Sequence, residues 1–246
     1  GLDFLSHLNG EFSFALWDET KRFFIAARDR YGVKPFFYRQ TNEEILFSSE
    51  AKGLLALPRV PRDFSTDHIM TSLISAPLQA VSPFKGIQAL KPGHFLTWTP
   101  ETREAKETEY WRPRYEKAPQ MSHAEAVERT RDVFQRAVKR RMVADVPVCS
   151  FLSDGLDSTL VTAEMARLRA ASEVSAFTIG FSNSVYDESG PATEIAREIG
   201  VKHETLPVTM PDIADNLESC IVNTEMHLAN PSAVGKFLLS RHVRDR

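Results

Sequence analysis

Residues 146–158, Val-Pro-Val-Cys-Ser-Phe-Leu-Ser-Asp-Gly-Leu-Asp-Ser, constrain the fold more than any other segment. A short apolar run of strand type over 146–152 ends in a tight polar loop, and a helical pattern begins at Thr159. A buried strand followed at once by a helix is the first half of a βαβ unit. The segment therefore predicts a parallel sheet rather than an all-β or all-helical chain.

The sequence around this segment continues the same alternation. Ser122 and Glu125 have the spacing of a capping box, which predicts the start of a helix that runs to about Arg141. After the loop the pattern predicts helix 158–170, strand 174–181, helix 190–199, strand 203–208 and a last helix from Pro231. This order is typical of a doubly wound α/β domain with a parallel sheet.

The first half of the chain has a different pattern of apolar residues, with short strands rather than alternating strands and helices. Alternation over 11–17 indicates a half-buried strand, and the polar residues 18–21 predict a hairpin to the next one. The patterns predict further strands at 22–27, 36–38, 45–48, 93–99 and 108–111, and helices at 49–57 and 66–74. We interpret 1–112 as one domain, the polar stretch 113–121 as a linker and 122–246 as a second domain.

Composition excludes several classes of protein. The 246 residues carry a net charge of −3 spread along the chain, so nothing indicates nucleic acid or a membrane surface as a partner. No apolar run approaches the ~20 residues that span a bilayer, and the first residues do not resemble a signal peptide. Two cysteines cannot form a disulfide framework or a zinc cluster. We expect a cytoplasmic protein.

The loop itself has a chemical preference. It leaves backbone N–H groups and small hydroxyls at a helix N-terminus, where the helix dipole favours a phosphate group. The loop contains no lysine, so it is not the common loop G-x-x-x-x-G-K-S/T. An ATP could place its pyrophosphate here and its base near 180–184, with Mg²⁺ between Asp157 and the phosphates. The alternative is a plain helix cap and turn with no ligand.

Several segments resemble known families. The loop Ser153-Asp-Gly-Leu-Asp-Ser158 resembles the S-G-G-x-D-S pyrophosphate loop of enzymes that split ATP between the α and β phosphates. The segments 175–189 and 195–204 resemble the asparagine synthetase family. The segments 10–18, 27–38 and 48–54 resemble later strands of the class II glutamine amidotransferase domain, which precedes the synthetase domain in that family.

The resemblance to glutamine-hydrolysing asparagine synthetases implies a fold for each half. It implies an α+β Ntn-type amidotransferase sandwich, in part, and then part of a doubly wound, adenine nucleotide alpha-hydrolase-like domain. The implied reaction activates aspartate with ATP as an acyl-adenylate, and ammonia from glutamine then gives asparagine, AMP and pyrophosphate. The implied cofactors are ATP and Mg²⁺, the implied partners are small-molecule substrates, and homodimerisation is left open.

The resemblance also assigns site residues by position. The pyrophosphate and its magnesium would lie on Ser153, Gly155, Asp157 and Ser158, with Asp157 as the metal ligand. Adenosine would meet backbone groups of two strand residues, Leu152 and Ile179.

The sequence departs from the family in three ways. An N-terminal cysteine nucleophile with its glutamine-site segments is absent, and so is the downstream S-G-E-G-x-D-E segment. We interpret both absences as truncation, so we assign no catalytic residue here and expect the fragment itself to be inactive. The loop also has Asp154 where the family has glycine, which would repel the pyrophosphate or add a metal ligand.

Three hypotheses for the function stay open on the sequence. The first is an ATP-dependent ligase of asparagine synthetase type. The second is a relative that adenylates another carboxylate, such as the β-lactam synthetase type. The third is a non-catalytic homologue that keeps the fold.

Overall fold

The structure is a computed structural model that describes residues 2–74, 82–116, 120–182, 187–225 and 232–246. Two compact units emerge from its contacts. The first consists of Gly1–Glu116 with Thr224–Ala229, and the second of Lys117–Asn223 with Asn230–Arg246.

The first unit is built on two antiparallel sheets. Its helices are α1 (Phe4–His7), α2 (Ala51–Leu55) and α3 (Thr66–Ile74), and its strands are β1 (Ser13–Asp18), β2 (Phe23–Arg28), β3 (Phe37–Gln40), β4 (Ile45–Ser48), β5 (Gln88–Ala89), β6 (His94–Trp98) and β7 (Lys106–Glu109). One sheet has the order β1-β2-β6-β7 and the other β4-β3-β5. The predicted hairpin at 18–21 is confirmed, since β1 pairs with β2 across it.

The two sheets share a core, which confirms the predicted sandwich. Phe24 and Ala26 from β2 lie in one buried cluster with Tyr38 from β3 and Leu96 from β6. Alternate residues of β2 face the other way, where Ile25 packs in a second buried cluster. The strand β2 is therefore covered on both faces, as its nearly continuous apolar sequence requires.

A buried arginine and aspartate organise the chain after β2. The Arg28 guanidinium donates to the carbonyl oxygens of Lys34 (2.8 Å), Gly32 (2.7 Å) and Leu90 (2.7 Å). The Asp29 carboxylate accepts from backbone N–H groups, including that of Lys34 at 2.9 Å. Burial pushes the pKa of Asp29 up, but these hydrogen bonds hold it below its ordinary value. These contacts give Arg28 and Asp29 a structural role.

The second unit is a parallel sheet covered by helices on both faces. Its elements are α4 (His123–Arg141), β8 (Ser150–Phe151), α5 (Leu156–Leu168), β9 (Ser175–Phe181), α6 (Ser189–Ile199), β10 (Lys202–Val208), α7 (Met210–Thr224) and α8 (Ser232–Arg244). The strand order is β10-β9-β8, with both pairings parallel. The predicted α/β class is confirmed.

The handedness of the connections explains which helix lies where. Both crossovers, β8-α5-β9 and β9-α6-β10, step the same way across the sheet. Right-handed crossovers therefore place α5 and α6 on one face. Packing around the start of β9 agrees. Val174, the residue before the strand, packs with Met165 of α5, and Ala176, two residues later, packs with Ala192 of α6. The opposite face of β9 is left for α8.

Three local predictions need correction or restriction, and one helix was missed. The strand predicted at 146–152 shrinks to Ser150–Phe151, and the following helix begins at Leu156, earlier than predicted. The helix α7 was not predicted at all. Pro231, the predicted first residue of the last helix, lies outside the described residues.

In the part of the chain that the structure describes, no helix is both long and apolar enough to cross a membrane.

Candidate nucleotide site

The loop 153–158 lies beyond the carboxyl end of β8 and leads directly into α5. Gly155 is the N-cap residue of α5 and gives it no side-chain cap. The N–H groups of Leu156, Asp157 and Ser158 in the first turn have no acceptor within the helix. These three donors and the helix dipole form a site that favours an anion.

Two serine hydroxyls hold the loop in shape. Ser158 Oγ lies 2.8 Å from Ser153 Oγ and accepts from the Ser153 N–H at 3.1 Å. The Gly155 N–H donates to Ser153 Oγ at 3.2 Å. Both predicted hydroxyls are therefore brought together, and they turn the loop back on itself.

The two carboxylates of the loop, Asp154 and Asp157, are both exposed. Asp154 stands where the pattern has glycine, yet it does not have a positive φ; among the described non-glycine residues only Arg22, Arg103 and Glu225 do. The backbone of the turn therefore needs no glycine at 154, and no strain results from the aspartate. What Asp154 changes is the charge beside the anion-favouring donors.

A buried hydrogen-bond chain fixes the strand ends beside the loop. The Thr178 hydroxyl donates to the Leu152 carbonyl oxygen at 2.7 Å. His203 Nε2 lies 2.8 Å from the same hydroxyl. Since that hydroxyl has one proton, His203 must donate an N–H to it, which fixes the protonated ring nitrogen as Nε2. The Leu152 N–H is also committed, to the Phe177 carbonyl at 2.9 Å.

The backbone of Ile179 faces an open edge of the sheet. The Phe177 carbonyl points toward β8, because it accepts from Leu152. Residues two apart on a strand face the same way, so Ile179 points to that side as well, beyond the last paired residue of β8. Of the two predicted adenosine contacts, Ile179 thus presents its backbone N–H and carbonyl at the unpaired edge of β9. Leu152 can offer a ligand only the second lone pair of its carbonyl oxygen.

A cavity of about 330 Å³ adjoins both features. Its apolar lining residues are Phe151, Leu152, Phe177, Ile179, Phe181 and Leu239. Its polar lining residues are Ser153, Thr178, Glu188, Ser232 and Lys236. A largely apolar cleft with a few polar groups suits a flat heterocycle joined to a polar tail.

Asp187 ties the end of β9 to the start of α6. Its carboxylate accepts from Ser189 Oγ (3.0 Å), from the Ser189 N–H (3.2 Å) and from the Phe181 N–H (3.2 Å). The hydrogen bonds from Ser189, and then that from Phe181, lower the pKa of Asp187 despite partial desolvation. Its role in the structure is to position the cavity wall.

The structure thus gathers the six predicted residues at one end of the sheet. Leu152, Ser153 and Ile179 line the cavity, while Gly155, Asp157 and Ser158 form the adjoining loop and first helical turn. Sequence reasoning missed four polar residues of the cavity lining, Thr178, Glu188, Ser232 and Lys236. A threonine inside an apolar strand was a usable signal for Thr178, but the other three had none. The predicted second loop at 180–184 lies partly outside the described residues.

His203 is expected to make the stability of the second unit depend on pH. Burial lowers the pKa of His203 below its ordinary value, because the charged ring would lose solvation. As pH falls through about 6.5 the unfolded chain takes up a proton that the folded chain resists. Stability present above that pH is therefore lost on acidification toward the folded pKa.

We expect the melting temperature of the second unit to fall between pH 7.5 and 5.5, and to fall less in His203→Gln, which keeps a side-chain N–H donor. Differential scanning calorimetry across this range measures the effect. His123→Gln, at an exposed position on α4, is the matched control. Identical pH profiles for wild type and His203→Gln would contradict the assignment.

Comparison with known proteins finds a different family match in each half of the chain. Residues 1–111 match the family described as glutamine amidotransferase domain, and residues 129–246 match asparagine synthase. Glutamine-hydrolyzing asparagine synthetase 3 of Bacillus subtilis is 35% identical over 89% of this chain and 38% of its own length. The amidase chyE of Penicillium rubens is 32% identical over 99% of this chain and 38% of its own length.

Among solved structures, an NH3-dependent NAD synthetase of Campylobacter jejuni matches 50% of this chain and 52% of its own, with 20% identity and a TM-score of 0.31. A structural similarity this low supports no conclusion about the fold or the function of this chain. The two family matches define a chain in which a glutamine amidotransferase domain precedes an asparagine synthase domain. The chain belongs to the asparagine synthetase family. It spans under two fifths of the length of the curated relatives named above.

Proposed function

We propose that this chain carries the ATP site of an ATP-dependent amide ligase of asparagine synthetase type. The reaction converts aspartate, ATP and glutamine or ammonia into asparagine, AMP and pyrophosphate through an acyl-adenylate. Residues 122–246 contribute the nucleotide site, and residues 1–112 belong to the domain that handles glutamine. The observation that carries the proposal is the loop 153–158, whose uncapped helix N-terminus adjoins the cavity at the ends of β8 and β9.

The geometry supports one orientation of the nucleotide. The pyrophosphate lies on the N–H groups of Leu156, Asp157 and Ser158, and the nucleoside enters the cavity. The base then meets the open backbone edge at Ile179, where an N–H and a carbonyl can pair with complementary groups of adenine. The hydroxyls of Ser153 and Ser158, which are hydrogen-bonded to each other in the structure, then donate to phosphate oxygens instead.

The residues present fit a Mg²⁺ ion that arrives with the nucleotide. Mg²⁺ prefers oxygen ligands and is often held by one or two carboxylates together with substrate phosphates. The exposed carboxylate of Asp157 supplies one such ligand beside the phosphate donors. No group of three or more His, Cys, Asp or Glu residues forms a cage within the described ranges, which agrees with this shared mode. The ion would neutralise phosphate charge and hold the polyphosphate against the loop.

A direct test is ATP–pyrophosphate exchange on the protein as it is expressed from its own gene. Aspartate-dependent exchange is expected if aspartate is the activated acid. Tight ATP binding with no exchange for any carboxylic acid would overturn the ligase and leave a non-catalytic homologue.

The second candidate is a relative that adenylates a different carboxylate. Two fungal relatives favour it, because they carry the name amidase: chyE of Penicillium rubens, and chry2 of Gibberella zeae at 31% identity over 99% of this chain. Exchange that depends on another acid, and not on aspartate, would select this candidate. The same assay with a panel of amino and β-amino acids therefore separates the two.

Asp154 is expected to oppose nucleotide binding. Its exposed carboxylate lies in the pyrophosphate loop, so Asp154→Asn removes a like charge while it keeps the side-chain shape. We expect ATP affinity in the presence of Mg²⁺ to rise about threefold, and the gain to shrink in high salt. Isothermal titration calorimetry at two ionic strengths measures this. A loss of affinity would instead show that the aspartate is a needed ligand.

A further inference from the structure

The charges around the cavity are few and unevenly placed. Among the described residues that line it, Lys236 carries the only positive charge and Glu188 the only negative one. The loop next to the cavity adds the carboxylates of Asp154 and Asp157 and no cation. Among the described residues of the loop and the cavity lining, a nucleotide with several negative charges therefore meets one cation, and that cation lies on the cavity side.

The residue before Lys236 on α8 packs closely against β9. A Cβ atom at Gly235 would lie 3.3 Å from Ile179 Cδ1 and 3.4 Å from Phe181 Cζ. A side chain at 235 would therefore push these two residues away by roughly a few tenths of an ångström. Lys236 follows directly, is itself exposed, and carries its ammonium on a long flexible stem.

The order of groups in the nucleotide decides which phosphate this ammonium can meet. In the proposed orientation the β and γ phosphates lie on the first turn of α5, and the nucleoside lies in the cavity. The α-phosphate joins the two and enters the cavity that Ser153, Ile179 and Lys236 help to line.

We propose that Lys236 binds the α-phosphate of the nucleotide. The inference rests on the proposed ATP site and deepens it, because the α-phosphate is the one kept in AMP. The ammonium offers three donors to phosphate oxygens in a cleft with apolar walls, where a charge-assisted hydrogen bond is strong. The site therefore distinguishes nucleotides from nucleosides by Lys236, independently of the pyrophosphate loop.

The test compares three ligands on the full chain by isothermal titration calorimetry: ATP with Mg²⁺, AMP and adenosine. In Lys236→Met we expect affinity for ATP and for AMP to fall about tenfold, as for the loss of one charge-assisted contact, and affinity for adenosine to stay unchanged. Lys236→Arg should keep AMP binding within about threefold of wild type. Lys202→Met, at the opposite end of the sheet on β10 and also exposed, should change none of the three.

Other outcomes overturn the inference in distinct ways. An equal loss for adenosine would place Lys236 against the base or in the packing of α8. A loss for ATP alone would place it on the outer phosphates. No loss for any ligand would leave it without a role in binding. If folded wild-type protein bound neither ATP nor AMP, the proposed function would fail, and this inference with it.

Discussion

Replacing Asp157 with asparagine is expected to weaken ATP binding in the presence of Mg²⁺ by about 100-fold, at the upper end of the losses seen when the surroundings of a bound metal are altered. The side chain lies in the first turn of α5 and is exposed, so the fold should tolerate the change. The loss has a physical reason in the proposed site, since the asparagine oxygen is neutral and coordinates Mg²⁺ poorly. Titration calorimetry with ATP, with and without Mg²⁺, measures it.

The matched control for this variant is Asp154→Asn in the same loop. Both changes neutralise one exposed carboxylate, and the proposal predicts opposite signs for their effects on ATP affinity. Removal of Mg²⁺ should bring Asp157→Asn close to wild type. If Asp157→Asn bound ATP and Mg²⁺ as tightly as wild type, the metal role of Asp157 would be wrong.

A second large effect is expected in the first unit, from Arg28→Met. This change removes three hydrogen bonds from a buried guanidinium and leaves the carbonyl oxygens of Gly32, Lys34 and Leu90 without that donor. We expect the free energy of unfolding to fall by about 3–5 kcal/mol, as for the loss of several hydrogen bonds to a buried charged group.

Tryptophan fluorescence during urea unfolding reports this loss selectively, because all three tryptophans, Trp17, Trp98 and Trp111, lie in the first unit. Arg59→Met is the control: Arg59 forms an exposed ion pair with Glu44, and its loss should destabilise the first unit far less than the loss of Arg28. Equal destabilisation by the two variants would refute a special role for Arg28.

Local sequence signals predicted helix starts well where a side chain caps the helix. Ser122 and Glu125 form the expected capping box at the start of α4. The missed helix α7 has the same kind of signal, since Thr209 Oγ1 accepts from the Asp212 N–H at 3.3 Å and the Asp212 carboxylate accepts from the Thr209 N–H at 2.8 Å. A threonine and an aspartate three residues apart could have revealed it.

The length of the strand predicted at 146–152 was overestimated, because the length of β8 depends on the neighbouring strand β9. Pro147 cannot donate a ladder hydrogen bond, and Val146 is exposed. Ser150 pairs with Ala176, and β9 begins only one residue earlier, at Ser175. Residues before 149 therefore have no partner strand beside them. Strand length is here a property of the pair, which an apolar run alone does not predict.

The candidate site was predictable in part. A polar loop between a strand and a helix indicated the anion-favouring donors, because their geometry is local. Lys236 could not be found in this way, since it reaches the cavity only when α8 packs on the far face of β9. Its role depends on tertiary packing rather than on any nearby pattern.

The cavity at the ends of β8 and β9 is assembled from chain segments that lie more than eighty residues apart, from Phe151 to Leu239. A nucleotide bound there would contact α8 as well as β8 and β9. Since α8 lines the cavity, it cannot move away from the sheet without opening the cleft. Ligand binding should accordingly slow amide hydrogen exchange within α8, in proportion to occupancy. Part of the binding free energy would then appear as resistance to local opening of α8.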